Sequence, residues 1–226
     1  MKKNLCFILA ALLAWGGFIT QAGAQDEGWY VAPKLGISFF TGDNRVESDY
    51  GNFSKRGHSS RFAGALAIGY DFSDHGAPIR TELEYTLRAA YRTESNGIVD
   101  YGSGPIPGKS QNKVKIQTFM FNTFLDFETE TSFTPYIGAG LGVALIKGEN
   151  TVSYQNNTIS TSKDETKFAW DLTAGGAWGL TDNLAMDLGY RYFNFGKVKT
   201  GDYYGGQTYS KQTALHEVML GLRFSY

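Results

Sequence analysis

Cysteine occurs once, at Cys6, and proline five times in 226 residues. Cys6 lies in a segment read below as removed on export. That leaves no thiol for a disulfide framework or a thiolate metal site. Three scattered histidines supply no metal-ligand spacing, and no cofactor is expected. Beyond the first residues no stretch approaches the ~20 consecutive apolar residues that a spanning helix needs, which excludes helical membrane spans. Basic residues are not in excess. Removing Lys2 and Lys3 from the 21 basic residues leaves 19 against 22 acidic ones, a net charge of −3. Nothing in that balance calls for nucleic acid as a partner.

What is abundant is glycine, with 28 residues, and aromatic side chains, at 15%. Together with a slightly negative mean hydropathy, this fits many strands that each carry one apolar face. The length suits one domain. The N-terminus reads as an export signal. Lys2 and Lys3 form a positive region, Leu5 to Trp15 an apolar one, and Ala22-Gly23-Ala24 a small-x-small site with cleavage before Gln25. Gly16-Gly17 breaks the apolar run, which is too short for a retained anchor. Cys6 is not at the cleavage point, so this is not a lipoprotein signal. The reading is a signal peptide at 1–24 and one β-domain at 25–226.

From Trp29 onward, apolar residues recur at every second position, the period of a strand. In the first segment Trp29, Val31, Leu35, Ile37 and Phe39 share a face. In the third, Ile79, Leu83, Tyr85, Leu87 and Tyr91 alternate with Arg80, Glu82, Glu84 and Arg88. Further segments begin near residues 61, 118, 136, 168, 184 and 217, which makes eight. Connections alternate between short (Ser73–Ala77, Thr129–Phe133, Thr181–Asn183) and long and polar (Thr41–Ser59, Thr93–Asn112, Gly148–Glu165, Gly196–Ser210). The predicted fold is all-β: an eight-stranded antiparallel up-and-down transmembrane β-barrel with short periplasmic turns and four long extracellular loops.

Alternation alone does not separate this from a soluble lipocalin-type barrel with its apolar face inside. The distribution of rings does. Trp29, Tyr70, Phe72, Phe127, Trp178 and Tyr226 fall at predicted periplasmic ends; Phe39, Phe62, Tyr91, Phe119, Phe168 and Tyr192 fall at outer ends. Aliphatic residues lie between. Two aromatic girdles mark two lipid–water interfaces, so the apolar face looks outward.

The segments Ile79-Arg80-Thr81-Glu82-Leu83-Glu84-Tyr85, Pro135-Tyr136-Ile137-Gly138-Ala139-Gly140-Leu141-Gly142, Leu188-Gly189-Tyr190-Arg191-Tyr192 and Val218-Met219-Leu220-Gly221-Leu222-Arg223-Phe224 resemble the outer-membrane β-barrel superfamily. That group holds opacity-type porins, surface antigens and the OmpA-like barrel domain. The resemblance covers 25–226. It implies a Gram-negative outer membrane, contact with outer-membrane lipid and lipopolysaccharide, and insertion by the barrel-assembly machinery. That machinery usually reads a terminal phenylalanine, where this chain has Tyr226. No peptidoglycan-binding domain is expected, so no cell-wall tether is carried over.

The charged stripe then faces the lumen: Lys34, Arg61, Arg80, Arg88, Arg191 and Arg223 with Glu82, Glu84, Asp126, Asp171, Asp187 and Glu217. Cations and carboxylates match in number. Buried charges persist when paired, so this set is expected to form an ion-pair network plugging the lumen. The alternative is a small ion or solute channel lined by the same charges. A lipid-modifying enzyme is a further alternative. His58 and Ser60 have nucleophile–base spacing, but no third group is placed to orient the base. His75 belongs to a turn and His216 to the outer rim. The long connections carry aromatic and small polar residues suited to contact with host surface molecules. The expected role is non-enzymatic: a surface barrel that stabilises the membrane and displays loops in the manner of an adhesin or antigen.

Overall fold

The computed structural model describes residues 28–48, 51–100, 105–154, 157–196, 199–203 and 206–226. The expected signal segment and its cleavage site lie outside these residues. The strands are β1 (Trp29–Ser48), β2 (Gly51–Asp71), β3 (Ile79–Arg88), β4 (Tyr91–Asp100), β5 (Pro105–Asp126), β6 (Phe133–Tyr154), β7 (Asn157–Thr181), β8 (Leu184–Asn194), β9 (Lys199–Tyr203) and β10 (Gly206–Ser225). Each strand pairs antiparallel with its neighbour, and β1 pairs with β10, which closes the sheet. Both β3 and β4 pair with β5, and both β8 and β9 pair with β10. The ten pieces therefore make eight staves. Among the described residues, closure leaves no edge on the lipid-facing part of the eight staves, the condition for crossing lipid with strands.

Apolar residues alternate outward along every stave and stay exposed: Phe62 78%, Phe168 65%, Leu83 61% and Leu141 60%. In water such a surface would be an aggregation hazard; in hydrocarbon it is the solvated face. Rings gather at the two ends of this belt. At the periplasmic end Trp29 packs on Tyr70 at 5.3 Å and Tyr70 on Phe72 at 4.7 Å, while Phe133 meets Trp178 at 4.8 Å. Tyr226 closes this end through its N–H to the Trp29 carbonyl. Toward the outer end Tyr85 packs on Phe119 at 4.5 Å and Trp170 on Tyr192 at 5.6 Å. Phe39 and Phe127 are exposed.

The short turns read in the sequence are short in the structure. Ser73–His75 forms one 3₁₀ turn that ends on Gly76 at φ 76°, a left-handed conformation that glycine adopts without steric penalty. The long connections differ from loops. β1 and β2 pair residue for residue out to Ser48 and Gly51, and β6 and β7 out to Tyr154 and Asn157. The expected loops at 41–59, 93–112 and 148–165 are thus largely β-hairpin ladders that carry the barrel wall past the lipid. Outside lipid neither face need be apolar, so the strand period has no hydrophobic contrast to reveal it. Small and β-branched residues hold the ladder instead: Thr151 lies 3.1 Å from Ser160, and Ser153 3.3 Å from Thr158, through their hydroxyls.

Tyr91 corrects the expected outer girdle. Residue numbers of partners sum to 204 along β3–β5 (Ile79↔Leu125 to Leu87↔Gln117) and to 205 along β4–β5 (Tyr91↔Val114). One extra residue at Ala89-Ala90 therefore forms a bulge, and a one-residue slip reverses every facing beyond it. Tyr91 turns inward, is 7% exposed, and donates its hydroxyl to Ser38 Oγ at 2.9 Å. Arg61 is the other departure. It fastens the bulge, its Nε donating to the Ala90 carbonyl at 3.0 Å and its Nη1 to the Ser60 carbonyl at 2.8 Å, with the guanidinium 5.9 Å from the Tyr91 ring.

Candidate functional site

The lumen is filled in three layers. β3 sets the pattern, because Arg80, Glu82, Glu84, Thr86 and Arg88 at every second position all point inward and are buried. Facing staves supply partners of opposite sign.

Nearest the periplasm, Arg80 grips Asp126 with two bonds, Nε to Oδ2 at 2.5 Å and Nη2 to Oδ1 at 2.9 Å. Its guanidinium lies 5.1 Å from both the Phe124 and Tyr136 rings. Arg223 sits 3.7 Å from Asp187 and 3.9 Å from Asp71, over the Tyr30 ring.

The middle layer is a continuous chain of charge. Lys34 bridges Glu82 at 2.5 Å and Glu84 at 2.9 Å. Tyr30 donates to Glu82 Oε1 at 3.1 Å and Thr86 to Glu84 Oε1 at 2.7 Å. Glu84 also accepts a two-pronged contact from Arg191, at 2.5 and 2.9 Å. Arg191 lies 3.9 Å from Glu217 and 4.0 Å from Asp171. Glu217 in turn is gripped by Arg88 at 2.6 and 3.0 Å, and Arg88 also donates to Thr118. Bidentate arginine–carboxylate contacts are the strong form of this interaction, and they lock side chains from opposite walls. Gly140 makes room: a Cβ there would overlap Asn122 Oδ1 and stand 2.8 Å from Asp171 Oδ2.

Above these charges lies an apolar cap that sequence reading did not name. Tyr91, Ile116, Met120, Ala144, Ile146, Ala169, Phe193, Phe195 and Leu215 form one buried cluster. The Arg88 guanidinium is 4.8 Å from the Phe193 ring, which joins cap to network. The signal was present in doubled apolar runs such as Phe119-Met120-Phe121 and Leu145-Ile146, where both faces of the stave are apolar. Such a run means that the lumen is apolar at that height.

A small cavity among Lys34, Arg80, Glu82, Tyr136, Asp187 and Arg191 has room for about one water centre, about 20 Å³. Of the histidines, His58 lies opposite Thr41 on β2, and its side chain is outside the described residues. Ser60 is exposed opposite Phe39. His75 stacks near Tyr70 and Phe72 in the periplasmic turn. His216 Nδ1 lies 2.5 Å from the Tyr190 hydroxyl on the outer wall. Among the described residues, no group of three or more His, Cys, Asp or Glu could hold a metal ion.

Comparison with known proteins agrees with this architecture. Residues 9–224 match the family model described as outer membrane protein beta-barrel domain. Outer membrane protein PagN of Salmonella typhimurium is 33% identical over 247 residues, covering 97% of each chain. A putative adhesin of Rickettsia canadensis is 26% identical over 88% of this chain and 87% of its own length. Among solved structures, Neisserial surface protein A has the same fold, with a TM-score of 0.51 at 18% identity over 88% of this chain and 97% of that one. With its closed sheet, exposed apolar belt and buried charges, this chain belongs to the outer membrane protein beta-barrel family.

Proposed function

We propose that the protein is a non-enzymatic surface barrel whose plugged lumen serves as a rigid base for hairpins displayed outside the cell, in the manner of an adhesin or surface antigen. One observation carries the reading: the walls continue past the lipid as paired hairpins while the lumen beneath them is filled by side chains. The ion-pair network has a structural role in this reading. It ties β1, β3, β5, β8 and β10 together across the axis. A conducting path would need a chain of waters, and the space beside Lys34 and Arg191 takes about one. Relatives named as adhesins support display as the role. The partners that follow are host surface molecules at the hairpins, outer-membrane lipid around the belt, and the barrel-assembly machinery during insertion after export.

The test pairs two measurements. Planar bilayers holding the folded protein should show no steady conductance above leakage. Cells displaying the protein should adhere to host-cell layers, and that adherence should fall when a hairpin is cut, for instance by replacing Thr151–Ser160 with Asn-Gly between the paired Asn150 and Thr161. Unboiled protein should still migrate differently from boiled protein, which shows that the barrel has closed. Steady conductance would replace this reading with a channel. Adherence unchanged after each hairpin is cut in turn would remove the display role.

A further inference from the structure

The outer wall carries an arrangement that folding alone does not explain. Lys115 on β5 and Lys147 on β6 are direct cross-strand partners, and both are exposed. Like charges directly opposite each other on a sheet destabilise it. One row further out, Arg92 on β4 is exposed and stands directly opposite Lys113. Nearby carboxylates relieve only part of this. Glu149 is bonded to Lys113 at 2.7 Å, and Asp164 stands 3.9 Å from Lys147. Glu94 is engaged further out by Lys109 at 2.9 Å. Glu149 also feels the charges of Lys115 and Lys147, but among the described residues no carboxylate pairs within 4 Å with Arg92 or Lys115.

The height of the patch is set by register. Tyr85, Phe119, Val143 and Phe168 share one row of the outer wall. The next row outward holds Leu87, Gln117, Leu145 and Thr166, and the one after holds Lys115, Lys147 and Asp164. The lysines are thus the first charged row beyond the aromatic end of the belt. Four residues of strand rise about 13 Å, or roughly 10 Å in height on a stave tilted by about 40°. That sets the backbone just outside a headgroup layer about 5–7 Å thick, and a lysine side chain can reach back into it. The side chains project sideways from the wall rather than upward from the hairpin tips.

We infer that Arg92, Lys115 and Lys147 form a docking surface for the phosphate groups of the outer-leaflet lipopolysaccharide headgroup. A phosphate between the two lysines would turn their mutual repulsion into shared attraction, with Arg92 as a planar donor one row above. The site fixes one side of the barrel, the β4–β6 side, against bound lipid. It is independent of what the hairpins bind.

The experiment uses the full folded barrel in phosphatidylcholine vesicles containing either bis-phosphorylated lipid A or lipid A stripped of phosphate. Lipid retained per barrel is read by native mass spectrometry. Wild type should bind the phosphorylated lipid about tenfold or more tightly than the Arg92→Gln/Lys115→Gln/Lys147→Gln variant. The stripped lipid should not distinguish them. Lys115→Arg/Lys147→Arg should retain binding, and Lys109→Gln/Lys163→Gln should leave it unchanged. Unboiled gel mobility checks folding of each variant. Equal retention by wild type and the triple variant overturns the proposal. So does loss confined to a soluble sulfated oligosaccharide with lipid A binding intact, which would assign the patch to a polyanion outside the membrane.

Discussion

Replacing Glu217 with glutamine tests the buried network most directly. The Arg88 and Glu217 side chains are both 0% exposed and share two charge-assisted bonds, at 2.6 and 3.0 Å. Glutamine keeps the volume, so no cavity contributes. It removes the negative charge between Arg88 and Arg191, whose Nη1 lies 3.9 Å from Glu217 Oε2. Arg88 is then left with Thr118 and the face of Phe193, and Arg191 must rely on Glu84 and the more distant Asp171. Breaking one side of a buried pair costs about 3–5 kcal/mol. With a urea slope of about 2 kcal/mol/M, the unfolding midpoint should fall by roughly 2 M. The assay is urea unfolding of the barrel in vesicles, followed by tryptophan fluorescence and by gel mobility without boiling. Arg88→Met/Glu217→Leu removes both charges and should recover most of the loss, because the penalty is that of an uncompensated charge. A Glu217→Gln loss below about 1 kcal/mol would refute the reasoning, as would a double variant no better than the single one.

Leu188→Arg places a charge on the lipid face of β8 and should lower stability by about 2–4 kcal/mol or prevent insertion, whereas Ser160→Arg on the exposed hairpin should insert as wild type does; equal insertion yields would contradict the facing. Gly140→Ala should destabilise by about 1–3 kcal/mol through overlap with Asn122 and Asp171, read as a lower temperature for loss of the unboiled gel form. The hydrogen bond from Lys113 holds the Glu149 carboxyl below its usual value of 4.5. A carboxylate lowered in the folded state adds stability above 4.5 that is lost as pH falls through its folded value. Lys113→Ala should therefore raise the Glu149 titration toward 4.5 in a carboxyl NMR experiment, and an unmoved titration would show that Lys113 is not the cause.

Strand number and facing were legible because lipid and lumen impose opposite demands on alternate residues for the whole width of the membrane. On β3, the run Arg80, Glu82, Glu84, Arg88 against Leu83, Tyr85, Leu87 separates the two faces, and the rings at the stave ends decide which face meets lipid. Pairing within the lumen was not legible. Arg88 and Glu217 are separated by 129 positions, and nothing local says which cation meets which carboxylate. The bulge at Ala89-Ala90 is hidden because two alanines continue either alternation equally well, so the pattern sends Tyr91 to lipid; Arg61 does face inward, but nothing local shows that backbone carbonyls rather than a carboxylate receive it. Tyr30, Phe124, Tyr136 and Phe193 carry no charge, so nothing local marks them as partners of the charged stripe, although these four fill the lumen and lie against its cations. The hairpin ladders leave no periodic signal because wet faces on both sides erase the contrast between alternate residues.

The paired hairpins also bear on how an immune system would see this molecule. A ladder presents alternate residues to each side, so Thr151, Ser153, Thr158 and Ser160 make one continuous surface while their intervening neighbours make another. A linear peptide of the same stretch offers both sets at once, in no fixed relation. Sera raised against the intact barrel should therefore lose most of their titre on boiled blots, and vaccines built from excised segments should elicit antibodies that fail to mark living bacteria.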